Sequence, residues 1–241
     1  MDDKKCTVCN IKIDKDNYKK DRNICKNCYN INRKKYNNKT FSRNDVDSVN
    51  NNNRTLIVGP SFSGKTHLML KILSQIRDRD IYIITKSPPE QYSNKIKIKE
   101  ISDEIKPLNE YENGVIVFDD VLGSSNSRYI DQFFIRGRHN NLDIYYLSQS
   151  YFDLPKRTIR NNSNKIILFN QTLKDIENNY RDIPGYDMNY DEFKQLCKKS
   201  WEEEYNYLCI DRFKKKDQGR YCICNESKNT YIQCIPETDP F

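Results

Sequence analysis

Residues 54–66 read RTLIVGPSFSGKT, a short apolar run followed by a glycine-bounded loop and a Lys-Thr pair. The spacing of Gly59, Gly64, Lys65 and Thr66 matches the pattern G-x-x-x-x-G-K-[ST] of phosphate-binding (Walker A) loops. The apolar run before the loop and the amphipathic stretch after it predict that the loop joins a strand to a helix. Glycines permit the turns that aim backbone N–H groups and a helix N-terminus at phosphates. The segment therefore predicts an α/β nucleotide-binding fold.

The whole loop is expected to bind ATP; it comprises Gly59, Pro60, Ser61, Phe62, Ser63, Gly64, Lys65 and Thr66. Lys65 is expected to reach the β- and γ-phosphates, and the Thr66 hydroxyl is expected to bind Mg²⁺. His67 follows directly, but no residue near it in sequence pairs with it, so we assign it to packing or to the surface.

A second motif, GVIVFDD at residues 114–120, is a buried strand that ends in two carboxylates. Parallel strands deliver their last residues to the sheet edge where the phosphate loop also lies. Asp119 is predicted to hold Mg²⁺, as a Walker B aspartate does, and Asp120 to act as the general base toward water. The alternative is that the two carboxylates only cap a turn.

The rest of the chain from residue 54 alternates apolar runs with amphipathic stretches, which is typical of a mainly parallel sheet between helices. We predict strands at 54–59, 80–85, 115–120, 143–148 and 164–169, and helices at 65–77, 126–138 and 172–181. Residues 192–205 are a further helix candidate, followed by short strands and loops. The run 81–84 lies between the two motifs, and an inserted strand there favours a ring-forming motor ATPase over a small nucleotide kinase.

Several polar residues near the strand at 143–148 are candidates for the reaction. Gln149 follows it and is predicted to orient water or to sense the γ-phosphate. Arg136 and Arg138 precede it, and either is a candidate for an arginine that reaches the ATP of the next subunit. Arg157 and Arg160 follow it. Surface solvation, salt bridging or DNA contact would explain any one of these arginines equally well.

The nine cysteines fall into two groups. Cys6, Cys9, Cys25 and Cys28 form C-x₂-C-x₁₅-C-x₂-C, a strong pattern for tetrahedral Zn²⁺, and the metal would supply the folding energy of so short a segment. The second group is Cys197, Cys209, Cys222, Cys224 and Cys234. Their spacing is irregular, so buried or free thiols are favoured there over a second metal site at Cys209, Cys222, Cys224 and Cys234.

The net charge, like the zinc-type cysteine pattern, is concentrated near the N-terminus. Residues 1–40 hold 12 Lys or Arg and 5 Asp or Glu, so the formal net charge of +7 resides in this segment. We predict four parts: a zinc-ribbon-like module (1–36), a polar linker (37–53), an ATPase core (54–185) and its C-terminal extension (186–241). The basic module suggests contact with nucleic acid. No apolar stretch is long enough for a membrane span and no signal peptide is evident, so we expect a soluble intracellular protein.

Residues 54 to about 182 resemble the viral genome-packaging ATPases of the FtsK–HerA superfamily. More narrowly, they are similar to the poxvirus-type packaging ATPases of large DNA viruses, virophages and Polinton-like elements. The segments that carry the resemblance are 59–66, 117–120, 136–150, 151–160 and 165–169.

The resemblance implies a RecA-like P-loop NTPase fold and a homo-oligomeric ring that pumps double-stranded DNA into a preformed capsid. A capsid or portal-vertex protein would be its partner, in the host-cell virus factory or in the virion. It also implies phosphate-loop roles for Lys65 and Thr66, Walker B roles for Asp119 and Asp120, and a sensor role for Gln149. Many relatives carry Glu where this chain has Asp120.

Three other functions stay open on the sequence. A helicase-like or mobile-element ATPase would act on DNA without a capsid. A zinc-dependent DNA-binding protein would use the nucleotide site as a switch, with slow turnover that DNA does not stimulate. A small-molecule kinase would need an acceptor site or lid, and neither is evident.

Overall fold

The computed structural model describes residues 52–87, 96–121, 127–184 and 186–225, together with the backbone of four short strands outside these ranges. The strands are β1 (Tyr18–Lys19), β2 (Arg22–Cys25), β3 (Thr40–Phe41), β4 (Arg54–Val58), β5 (Asp80–Thr85), β6 (Glu100–Ser102), β7 (Gly114–Asp119), β8 (Asp143–Ser148), β9 (Lys165–Leu168), β10 (Tyr207–Asp211), β11 (Tyr221–Asn225) and β12 (Thr230–Gln233). The helices are α1 (Lys65–Leu73), α2 (Ser127–Arg136), α3 (Leu173–Asp182) and α4 (Tyr190–Ser200).

One large sheet organises these elements, with the strand order β3-β12-β11-β10-β9-β4-β8-β7-β5-β6. All pairs from β9 to β6 are parallel, whereas β10, β11, β12 and β3 continue the sheet from β9 with antiparallel pairs. The short strands β1 and β2 pair separately as an antiparallel hairpin. The predicted mainly parallel sheet is thus confirmed, and residues after 186 extend it.

The helices cover both faces of the sheet, as predicted. Side chains alternate along β4, so that Leu56 and Val58 belong to one core and Ile57 to the other. The core with Ile57 packs against α1 through Leu68 and Met69. The opposite core packs against α2, α3 and α4. Burial on both faces explains why the parallel strands are nearly continuous apolar runs.

The five predicted core strands are confirmed, but the helix ends needed correction. Helix α1 ends at Leu73, four residues before the predicted end. Helix α2 ends at Arg136 and continues as a 3-10 turn at Gly137–Asn140. Gly137 permits close packing at that end, since a Cβ there would stand 2.6 Å from Ile144 Cδ1. Helix α4 covers 190–200 rather than 192–205.

The strand predicted at 81–84, between the two motifs in sequence, is confirmed. The run 81–84 lies in β5, on the outer side of β7, and the strand between β4 and β7 is β8. Chain order and sheet order differ because parallel neighbours need crossover connections. The three-residue strand β6 was not predicted. Among the described helices, none has the length and apolar character needed to cross a membrane.

A charged cluster ties strands together at the amino-terminal edge of the sheet. Asp143, at the start of β8, accepts hydrogen bonds from the backbone N–H groups of Asn52 (2.7 Å) and Asn53 (2.6 Å), which lead into β4. The same carboxylate forms an ion pair with Arg79, whose guanidinium also donates to the Gly114 carbonyl at the start of β7 (2.7 Å). These contacts fix the starts of β4, β7 and β8 relative to one another, and the opposite ends of these three strands carry the candidate site.

Candidate nucleotide site

The carboxyl ends of neighbouring parallel strands bring the predicted site residues to one edge of the sheet. Gly59 follows β4, Asp119 ends β7, and Gln149 follows β8. Asp119 and Gln149 border a cleft of about 830 Å³, together with the loop that begins at Gly59. The cleft is lined by Ser61, Phe62, Gly64, Lys65, Thr66, His67, Asp119, Asp120, Leu147, Ser148, Gln149, Glu204 and Tyr205.

The phosphate loop is built around its two glycines. The Gly59 N–H donates to the Ser148 carbonyl (3.1 Å), and a Cβ on Gly59 would stand 2.6 Å from Phe169 Cβ, so no larger side chain fits. Gly64 has φ +101°, in the left-handed region that favours glycine, and lies directly before α1. The loop therefore ends at a helix N-terminus, which attracts phosphate groups.

Lys65 is held inside the loop by hydrogen bonds. Its Nζ donates to the carbonyls of Gly59 (2.7 Å) and Pro60 (2.8 Å). Burial lowers the pKa of the Lys65 ammonium, and the charges of Asp119 and Asp120 oppose that shift. Both carboxylates thus act electrostatically on this cation across the cleft.

The two carboxylates sit at the end of β7 with different backbone geometry. Asp119 is in register with Thr85 on β5 and Leu147 on β8, so its place is set by pairing on both sides. Asp120 is exposed and has φ +53°, a left-handed conformation that Asp tolerates better than most residues. Burial raises the pKa of the Tyr146 hydroxyl, and the charge of Asp120 raises it further.

This donor set fits a magnesium nucleotide. The Thr66 hydroxyl and the Asp119 carboxylate line the same cleft, and Mg²⁺ prefers oxygen ligands of this kind beside substrate phosphates. Asp120 lies next to Asp119 and faces solvent, where it can accept a proton from water. The arrangement can therefore support cleavage of a phosphoanhydride by water.

Gln149 lines the cleft, and the arginines lie elsewhere. Arg136 and Arg138 are exposed at the end of α2 and in the 3-10 turn before β8, at the amino-terminal edge of the sheet and away from this chain's own cleft. Arg157 is also exposed. Arg160, in contrast, is buried and ion-paired with Asp182, which gives it a structural role.

The predicted zinc ligands Cys6, Cys9 and Cys28 lie outside the described residues, and Cys25 is described only as the backbone end of β2. Within the described ranges, no three His, Cys, Asp or Glu side chains are grouped so that they could hold a metal ion. Cys209, Cys222 and Cys224 are buried in the core that packs on α1, which agrees with the preference for buried thiols there. Cys234 lies outside the described residues.

Two cleft residues, Glu204 and Tyr205, were missed by the sequence analysis. They belong to the segment 201–206 between α4 and β10, which lies beside the phosphate loop. A Cβ on Gly64 would stand 3.1 Å from Tyr205 Cδ1. Neither residue belongs to a known motif, so only the folded position of the C-terminal extension reveals them.

No family model matches the sequence, and no curated protein matches it. Solved structures of the genome packaging NTPase B204 from Sulfolobus turreted icosahedral virus 2 are similar. The complex with ATP-gammaS has a TM-score of 0.51 and 14% identity, and the match covers 68% of this chain and 95% of that chain. The complex with AMP has a TM-score of 0.50 and 15% identity, with the same coverage. At such low identity the likeness concerns the fold, so this chain shares the fold of a viral genome-packaging NTPase.

Proposed function

We propose that this protein is an ATP-driven motor that translocates double-stranded DNA and packages a viral genome into a capsid. The observation that carries the proposal is the convergence of the phosphate loop, two carboxylates and Gln149 on one cleft of a P-loop NTPase sheet. The fold shared with B204, a genome packaging NTPase solved with ATP-gammaS, supports it.

The reaction is hydrolysis of ATP to ADP and phosphate. The loop N–H groups and Lys65 bind the β- and γ-phosphates, while Asp120 accepts the proton of the attacking water and Gln149 orients that water. Thr66 and Asp119 would hold Mg²⁺, which when bound neutralises charge on the phosphate oxygens. Residues 54–185 form this catalytic core, and β10, β11 and β12 of the C-terminal extension (186–241) continue its sheet.

In a homo-oligomeric ring, Arg136 and Arg138 would contact the nucleotide bound by the next subunit. Arg136 and Arg138 are exposed on the far edge from their own cleft, a position that supports contact with the nucleotide of a neighbouring subunit. The ring would dock on a capsid or portal-vertex protein, in the host-cell virus factory or on the virion.

The N-terminal module would bind Zn²⁺ through Cys6, Cys9, Cys25 and Cys28 and contact DNA through its positive charge. The strands β1 and β2 pair between the two cysteine pairs, and β2 ends at Cys25. Residues 37–53 would link this module to the core.

The proposal is tested by ATP hydrolysis with and without double-stranded DNA, beside displacement of a third strand from a DNA triplex. We expect DNA to stimulate turnover, and ATP to drive displacement. Both should fall at least about a hundredfold in Lys65→Ala. ATP-driven separation of duplex strands would instead favour a helicase-like enzyme. Slow turnover that DNA leaves unchanged, with no displacement, would contradict the motor and favour a nucleotide switch.

A further inference from the structure

The segment 201–206 is anchored beside the phosphate loop, although it lies far from that loop in sequence. The Trp201 indole Nε1 donates to the Leu168 carbonyl at the end of β9 (2.9 Å). The Glu203 carboxylate accepts a hydrogen bond from the Asn225 side chain at the end of β11. The sheet therefore anchors the segment at Trp201 and Glu203, and the next two residues, Glu204 and Tyr205, line the cleft.

Tyr205 occupies an unusual position in that wall. Its ring lies against Gly64, since a Cβ on that glycine would stand 3.1 Å from Tyr205 Cδ1 and 3.8 Å from its Cβ. Even so, the residue is 57% exposed. Its φ of +62° is rare for a bulky residue, and such strained conformations concentrate at ligand sites. An aromatic ring that contacts the phosphate loop and still faces the cleft is suited to contact a ligand.

The sheet order gives the direction in which a nucleotide extends. Asp119 ends β7 and Gln149 follows β8; both strands lie on one side of β4, so the terminal phosphate lies on that side. β9 lies on the other side of β4 and is followed by Phe169. A Cβ on Gly64 would stand 3.5 Å from Phe169 Cε1, so Phe169 lies beside the same glycine as Tyr205. If the γ-phosphate of a bound nucleotide lies at Asp119 and Asp120, its nucleoside therefore lies on the side of Tyr205.

We infer that Tyr205 is the stacking platform for the base of the bound nucleotide, so that the C-terminal extension completes the nucleotide site. The inference rests on the proposed ATP-binding function. Stacking uses the face of a base, which every base has, so Tyr205 strengthens binding without selecting adenine. The neighbouring Glu204 carboxylate repels phosphates and accepts hydrogen bonds from hydroxyl or amino groups, which agrees with a nucleoside on this side.

The test compares the affinity for ATP with that for inorganic tripolyphosphate, which lacks the base and ribose. Both are measured by calorimetry on the full chain as wild type, Tyr205→Ala, Tyr205→Phe and Tyr186→Ala. Loss of one stacking contact corresponds to about 5- to 150-fold in the dissociation constant. We expect this loss for ATP in Tyr205→Ala, unchanged tripolyphosphate binding, and near wild-type affinity in Tyr205→Phe. Tyr186, fully exposed and outside the cleft, is the matched control and should show no change.

The outcomes separate this inference from the proposed function. If Tyr205→Ala binds ATP as tightly as wild type does, or loses ATP and tripolyphosphate equally, the base platform is wrong and the ATPase stands. If wild type binds neither ligand, both proposals are wrong.

Discussion

Replacing Asp182 with asparagine should destabilise the protein strongly, because this carboxylate compensates a buried guanidinium. Asp182 ends α3, and its two oxygens accept hydrogen bonds from Arg160 and from Lys156 Nζ (2.7 Å). The side chains of Arg160 and Asp182 are each only 8% exposed. Arg160 also lies over the rings of Phe152 (4.4 Å) and Tyr151 (5.1 Å). The cluster thus joins the segment after β8 to α3.

The size of the effect follows from this burial. Removing one partner of a buried ion pair costs about 3–5 kcal/mol, because the other charge is left uncompensated. Asparagine keeps the volume and one acceptor oxygen, and Arg160 keeps its aromatic contacts, so we expect the lower end, about 3 kcal/mol. In a protein of this size that loss corresponds to a Tm lower by about 6–12 °C.

Urea unfolding followed by circular dichroism measures this loss. Glu177→Gln is the matched control, because Glu177 lies on the same helix and pairs with Arg181 at 2.7 Å, but those side chains are 54% and 66% exposed. An exposed pair of this kind contributes about 0.5 kcal/mol or less. If Asp182→Asn were no more destabilised than Glu177→Gln, the structural role assigned to Arg160 would be refuted.

Three further predictions concern the loop, the buried acids and the metal. Gly64→Ala should lower the unfolding free energy by about 1–2 kcal/mol, because alanine resists the left-handed conformation. The same change should weaken ATP binding, and an unchanged affinity for ATP would contradict the loop geometry. Burial raises the pKa values of Cys197, Tyr146 and Tyr221, so the unfolded chain loses these protons first and stability should fall above about pH 9. Urea titrations at pH 7 and 10 test this, and equal midpoints would count against it. Metal analysis of purified protein should find about one zinc per chain. If it finds no zinc, the prediction of a zinc-binding module is wrong.

The core of the fold could be predicted because its signals are local. The strands that end at Val58, Asp119 and Ser148 are continuous apolar runs buried on both faces, and the first two lead into recognisable polar motifs. Parallel topology then requires those ends to meet at one edge, so the placement of Lys65, Asp119 and Gln149 in one cleft followed.

What the sequence could not reveal depends on contacts between distant segments. Tyr205 reaches the cleft only because β10 pairs with β9 and Trp201 bonds to the end of β9, and no local pattern encodes that pairing. The structural role of Arg160 likewise depends on Asp182, which lies in a different helix. Helix α2 ends at Arg136, and Gly137 directly after it packs closely against Ile144 of β8, a contact with no periodic signature.

The most direct test of the central claim is ATP binding and hydrolysis by Asp120→Asn. Asparagine keeps the size of Asp120 and tolerates its φ of +53°, but it cannot accept a proton from water. Loss of a general base lowers turnover by about 10²- to 10⁴-fold. We therefore predict that Asp120→Asn binds ATP about as well as wild type does and hydrolyses it at least about a hundredfold more slowly. Wild-type turnover in this variant would contradict the assignment of the cleft as a hydrolytic site with Asp120 as its base.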